Sequence, residues 1–301
     1  MLRSSIDLGT NTCLLLIAEW DPSSKRVTKI VRDFSTIVRL GKGVDGDRRL
    51  APESMSRTLD CLKRYRDEVK AIGLDPTATM AVATSQARDA ANGAEFFAQV
   101  EKEAGFRFRT LSGDEEAQYT FEGGLLPGMK PEHSVVVDIG GGSTEFMALT
   151  GGQSLDIGSV RFTERYLKSD PVTDDEFWAC QDAADLQISK MLKWRESVPA
   201  DAQLVAVAGT ATTLAAWQLD LEKFDARAID EVTLSRGDVH RMVEELKWRT
   251  VKERSEQAGI EAGRADVLLA GAIILWRSME LLQFKDCRVS TRGLRFGVLA
   301  L

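Results

Sequence analysis

The chain has 301 residues, 44% of them apolar and 28% charged, with a formal net charge of −7, so it can bury a sizeable core and is long enough for two domains. A negative molecule repels polyanions as a whole, which disfavours bulk nucleic-acid binding and requires any phosphate-rich ligand to be captured locally. The two histidines, His133 and His240, and the four cysteines, Cys13, Cys61, Cys180 and Cys287, are far apart in sequence and lack ligand spacing, which argues against histidine metal centres, Ser-His-Asp hydrolysis and a disulfide framework.

Met1 leads straight into an apolar strand, without the basic start and apolar core of a signal peptide, and this predicts a cytoplasmic protein. Residues 5–13 read as a strand ending in Asp7, a tight turn at Gly9, and a second strand through Leu14 to Ile17. Met55, Leu59, Leu62, Tyr65 and Val69 recur at helical spacing and predict a helix over 52–72. A strand follows at 80–83. Thr84 or Ser85 then caps a helix reaching Asn92, and a strand over 106–111 feeds a helix starting at Ser112. Residues 136–144 repeat the first hairpin: laid over 5–13, they place Asp138 on Asp7, Gly140 on Gly9 and Ser143 on Thr12, with 146–149 as the second strand. Helices are expected near 174–194, 210–217, 235–248 and 266–284, and strands at 204–207 and 287–290. The apolar run 267–275 is too short to cross a bilayer. Two similar hairpins within α/β alternation imply two similar domains, 1–124 and 125–301, divided on turn chemistry near 123–128.

The hairpin loops carry the chemistry. In Asp138-Ile-Gly-Gly-Gly-Ser-Thr-Glu145, the glycines Gly140, Gly141 and Gly142 let backbone N–H groups converge on phosphate oxygens, and Ser143 and Thr144 add hydroxyl donors. The flanking Asp138 and Glu145 would repel phosphate directly, and carboxylates beside a phosphate site imply bridging Mg²⁺. The other loop offers Gly9, Thr10, Asn11 and Thr12 beside Asp7. Two such loops facing each other across a cleft would grip one phosphoryl group from both sides, an expectation of an interdomain active site. Ser112 and Glu115 make a capping box, which Glu116 does not serve. Glu116 is therefore either a solvated helix acid or a carboxylate that activates water for attack on phosphorus. Arg88, one turn into its helix, is a cation near a positive helix end, which a bound phosphate would resolve, although a surface pairing with Asp89 accounts for it too. Gly209 and Thr210 open another helix after a strand and could meet a nucleotide or a distal phosphate.

Several stretches together resemble the exopolyphosphatase/guanosine-pentaphosphatase (Ppx/GppA) family. They are Ile6-Asp-Leu-Gly-Thr-Asn11, Arg39-Leu-Gly-Lys-Gly43, Ala83-Thr-Ser-Gln-Ala-Arg-Asp-Ala-Ala-Asn92, Leu111-Ser-Gly-Asp-Glu-Glu-Ala117 and Val137-Asp-Ile-Gly-Gly-Gly-Ser-Thr-Glu145. They continue with Ile157-Gly-Ser-Val-Arg-Phe-Thr-Glu164, Gly209-Thr-Ala-Thr-Thr-Leu-Ala215, Arg264-Ala-Asp-Val-Leu-Leu-Ala-Gly271 and Val289-Ser-Thr-Arg-Gly-Leu-Arg295. The resemblance implies an α/β fold of two actin-like (ribonuclease H-like) domains, each a mixed sheet flanked by helices, with an interdomain cleft. It implies Glu116 as the catalytic carboxylate, Asp138 and Glu145 as metal-associated acids assisted by Asp7, Arg88 as a phosphate-binding arginine, and Mg²⁺, or Mn²⁺ in its place, as cofactor. The expected activity is removal of a terminal phosphate from polyphosphate or from guanosine pentaphosphate. A homodimer is admitted, and no nucleic-acid or membrane partner is expected.

The chain resembles the family's short form, which points to short polyphosphates or a nucleotide. Ala206-Val207-Ala208 stands before Gly209 where relatives are richer in glycine, and the added methyl groups crowd a nucleotide there. A kinase of the same superfold, and a non-catalytic sensor of guanosine polyphosphate, are the competing readings. Glu116 and the arginine-bearing 83–92 segment favour hydrolysis over the kinase.

Overall fold

The computed structural model describes residues 1–24 and 26–300. The chain divides into two compact units: Met1–Gly123 together with the segment from Leu294, and Gly124–Gly293. The division lies one residue from the boundary read in the sequence, but the segment from Leu294, assigned there to the second domain, belongs to the first unit.

In the first unit, β1 (Leu2–Leu8), β2 (Thr12–Asp21), β3 (Arg26–Ile37), β4 (Met80–Ala83) and β5 (Phe108–Thr110) form one sheet in the order β3-β2-β1-β4-β5. The first three strands are antiparallel neighbours, and β4 and β5 continue parallel to β1. The β2 run Leu14 to Ala18 is apolar at every position, so both faces of the sheet must be covered. On one face, Leu62 and Tyr65 of the helix Pro52–Ala71 and Phe96 of the helix Gly93–Ala104 pack with Ile6, Leu8, Leu15 and Ile17. On the other, Phe296 and Leu299 cover Leu16, Ala18 and Trp20, while Leu294 and Val298 meet Val82 and Leu111. The returning segment is pinned by Ser5 Oγ donating to Arg295 O at 2.6 Å and by the Arg295 guanidinium gripping both Asp33 oxygens at 2.9 Å.

The helix expected from 84 to 92 is shorter. It spans Ser85–Asp89, and Thr84 occupies the cap position without a side-chain capping bond. The chain leaves it because the Asn92 side chain accepts from Leu50 N at 2.8 Å and donates to Leu50 O at 3.1 Å, tying this turn to a distant loop. All four cysteines are buried and unbridged. Cys13 and Cys61, distant in sequence, pack into the same core cluster.

The second unit repeats the plan with β6 (Ser134–Ile139), β7 (Thr144–Ala148), β8 (Gly151–Leu155), β9 (Gln203–Val207), β10 (Thr233–Ser235) and β11 (Asp286–Val289), ordered β8-β7-β6-β9-β11-β10. Apart from the added β10 this is the order of the first sheet, with the same antiparallel hairpins and parallel continuation. Val135, Val137, Ile139 and Phe146 pack with Phe177, Leu214 and Ile273 from the helices Asp174–Ile188, Ala208–Gln218 and Leu268–Leu281. Each unit is thus a mixed sheet flanked by helices in the actin-like arrangement. Among the described residues, no helix is long and apolar enough to cross a membrane.

Candidate functional site

The first unit holds Asp7, the loop Gly9 to Thr12, Arg88 and Glu116. The loop closes with Gly9 N–H donating to Thr12 O at 2.9 Å, and its carbonyls are held from behind: Gly41 N–H donates to Thr10 O at 2.8 Å, and Val38 and Arg39 N–H donate to Asn11 O at 2.9 Å each. A Cβ on Gly41 would lie 2.4 Å from Thr10 Cγ2, so only glycine lets that segment come so close. The Gln86 carboxamide braces the same loop, donating to Leu8 O at 2.7 Å and accepting from Thr10 Oγ1 at 3.2 Å. The Thr10 hydroxyl, expected to be a phosphate donor, is thereby engaged within the fold.

Glu116 lies on the helix Gly113–Gly124. The expected capping box forms, with Ser112 N–H donating to Glu115 Oε2 at 2.9 Å and Glu115 N–H donating to Ser112 Oγ at 3.2 Å. Glu116, one residue on, turns inward and is 7% exposed. Arg88 Nη1 donates to Glu116 Oε2 at 3.0 Å and to Leu111 O at 2.7 Å. The anion beside Arg88 is therefore this carboxylate, while Asp89 faces Arg48 at 3.9 Å. Burial pushes the half-buried Asp7 carboxyl up to about 6, partly offset by the Arg295 guanidinium.

The second unit carries Asp138, Gly140 to Thr144, Glu145, Gly209 and Thr210. Its loop closes as the first does, with Gly140 N–H donating to Ser143 O at 3.0 Å. Asp138 and Glu145 are direct partners across β6 and β7, which puts both carboxylates on one face of the sheet. Glu145 is 2% exposed, and its Oε1 accepts from Ser154 Oγ at 2.6 Å. Thr144 does not supply the expected hydroxyl donor to a ligand: it is fully buried and donates to Ile157 O at 2.8 Å.

At the start of the helix Ala208–Gln218, Ala208 adopts a left-handed φ of 65°, the conformation that glycine would hold without strain. A Cβ on Gly209 would meet the Arg264 guanidinium at 1.8 Å, and Thr210 Oγ1 abuts Gly271, where a Cβ would sit 2.3 Å away. Thr210 thus packs between helices, and Gly209 makes room for a cation. Sequence reasoning gave no role to Gln86, Gly41, Arg161 or Arg264, although all four lie within stretches it singled out.

Among the described residues, no group of three or more His, Cys, Asp and Glu side chains could hold a metal. The Asp138–Glu145 pair nevertheless fits Mg²⁺, a hard cation that takes one or two carboxylates and completes its shell with water and phosphate oxygens.

A model of the Ppx/GppA phosphatase family matches residues 16–300. Exopolyphosphatase 2 of Mycobacterium tuberculosis is 35% identical over 285 residues, 90% of this chain and 88% of that protein. The bifunctional 3-dehydroquinate synthase/phosphatase of Fusobacterium nucleatum is 32% identical over 292 residues, 91% of this chain but only 42% of that protein, so this chain spans less than half of it. Among solved structures, an exopolyphosphatase from Cytophaga hutchinsonii superposes with a TM-score of 0.87 at 29% identity, over 99% of this chain and 96% of that one.

Proposed function

We propose, from the premise that this chain belongs to the Ppx/GppA phosphatase family, that it hydrolyses the terminal phosphoanhydride bond of inorganic polyphosphate, preferring short chains, with guanosine pentaphosphate as a second substrate. The observation that carries this reading is Glu116, a carboxylate 7% exposed that its own helix cap does not use and that lies 3.0 Å from Arg88. In this role Glu116 orients a water and takes its proton as the water attacks phosphorus in line. The Arg88 fork suits a phosphoryl group, whose oxygens it can grip in pairs. An arriving phosphate competes with Glu116 for that fork and so loosens the base once substrate is present. The backbone N–H groups of the two loops bind phosphate oxygens.

Asp138 and Glu145 would hold Mg²⁺, with Mn²⁺ able to replace it, and Asp7 would assist through water. When bound, the ion neutralises charge on the phosphate oxygens. The exopolyphosphatase named among the relatives supports polyphosphate as the substrate class. The strained Ala208 with its methyl group, and Thr210 packed against Gly271, favour an inorganic chain over a nucleotide at that helix start.

The test follows phosphate release from tripolyphosphate, long-chain polyphosphate and guanosine pentaphosphate in the presence of Mg²⁺, with a Glu116→Gln variant alongside. Release is expected to be fastest from the short chain, and the variant should be slower by about 10²–10⁴-fold. No release from any of the three would sink the hydrolase, and tight binding of guanosine pentaphosphate without turnover would turn the reading to a sensor.

A further inference from the structure

Three successive carbonyls of the second unit's glycine loop point at one helix. Ser159 N–H donates to Gly140 O at 2.9 Å, and Val160 and Arg161 N–H donate to Gly141 O at 2.9 and 3.0 Å, all at the start of the helix Ser159–Tyr166. Gly142 O is taken by a side chain, Arg161 Nε, at 2.7 Å. The approach is so close that a Cβ on Gly158 would lie 2.5 Å from both the carbonyl carbon and oxygen of Gly141. Arg161 itself is 8% exposed.

A trans peptide is planar, with the C=O of one residue opposed to the N–H of the next. Fixing the carbonyls of 140, 141 and 142 toward the helix therefore turns the N–H groups of Gly141, Gly142 and Ser143 to the other side. Three consecutive N–H groups so presented form an anion-binding concavity. Backbone donors fix the first two peptides, with Ser159 Oγ adding a bond to Gly140 O at 3.2 Å, whereas the third, which carries the Ser143 N–H, has its carbonyl held by the Arg161 guanidinium. The first unit differs here, because the described bonds to Thr10 O and Asn11 O come from backbone N–H groups.

We propose that Arg161 is a positioning residue that aims the Gly142–Ser143 peptide at a phosphate group of the substrate, acting from behind the loop through Gly142 O. This rests on the phosphohydrolase reading above. Losing a charge-assisted hydrogen bond to a buried carbonyl lets this peptide rotate and removes one of three converging donors, so the effect falls on phosphate binding.

The test measures tripolyphosphate kinetics in wild type, Arg161→Met, Arg161→Gln and Arg161→Lys, together with ¹⁵N amide titrations of Gly141, Gly142 and Ser143 by inorganic pyrophosphate. In R161M and R161Q, KM is expected to rise about 10- to 100-fold, the range for one hydrogen bond to a charged group, with kcat within about threefold. Lysine, which keeps a long, charged donor for Gly142 O where glutamine offers only a shorter, neutral one, should recover most of the loss, and the amide titration midpoints should follow KM. A merely structural role would instead lower the active fraction, reducing kcat at constant KM. If R161M does not fold, the glutamine and lysine variants carry the same comparison. An unchanged KM in the neutral variants, or lysine no better than glutamine, overturns the positioning role while leaving the hydrolase intact. Wild-type amides that pyrophosphate does not move would overturn both the role and the phosphate site it serves.

Discussion

Replacing Asp7 by asparagine is expected to stabilise the ligand-free protein, and to do so more at pH 8 than at pH 5. Burial raises the folded-state carboxyl from 3.8 to about 6, so the native state binds a proton more tightly than the unfolded chain does. Stability therefore falls as pH rises from about 4 through about 6, and above that window the whole cost of the ionised carboxylate is present. Roughly two pKa units at 1.36 kcal/mol each set an upper value of about 3 kcal/mol. Asp7 is only half-buried, and screening should leave about 1–2 kcal/mol at pH 8 and about half of that at pH 5. Asparagine keeps the shape without the charge, and Arg295 retains its bidentate partner Asp33. Urea denaturation of both proteins at the two pH values, with metal chelated, gives the comparison directly. A gain equal at both pH values, or no gain at pH 8, would refute the reasoning, because it would mean that ionised Asp7 is not a burden in the folded state. A destabilising carboxylate on the strand that leads into the hairpin loop is what a site held for chemistry rather than for folding should show.

Arg88→Ala leaves the Glu116 carboxylate buried without its guanidinium. It should cost about 2 kcal/mol in chemical denaturation and raise KM for tripolyphosphate, while adding Glu116→Gln should restore the stability but not the turnover. Gly158→Ala forces a methyl group to within 2.5 Å of the Gly141 backbone; it should destabilise by about 1–3 kcal/mol and weaken pyrophosphate binding in a calorimetric titration, and wild-type affinity would show that the helix does not set the loop. Ala208→Gly relieves the left-handed φ of 65°, and urea unfolding should show a gain of about 0.5–1 kcal/mol; a loss would mean that the alanine methyl makes contacts worth more than its strain.

The parts of the candidate site legible in the sequence are those fixed by backbone chemistry. Asp7 and Asp138, aligned from residue types alone, occupy matching strands of two sheets with the same strand order. The turns after them close with the same bond between the first glycine and the residue three positions on. Glu116 stood out because the Ser112–Glu115 box accounted for its neighbours and not for it. Hydroxyl roles were not legible: Thr10 and Thr144 look like ligand donors in sequence, yet what each donates to is decided by Gln86 and by the Ile157 carbonyl, which lie elsewhere in the chain. The edge strand β3 carries mostly exposed residues without clean alternation, so no period marks it. The return of the segment from Leu294 also left no local signal, because a short apolar run does not state which sheet it will cover.

That return sets the timetable on which the protein can be made. Leu16, Ala18 and Trp20 leave a ribosome well before their cover, Phe296 and Leu299, is made. At about 5–20 residues per second, all of Gly124–Gly293 is translated in between, roughly ten seconds or more during which one face of the first sheet has no lid. The first unit therefore closes over its sheet only after the second unit has been synthesised.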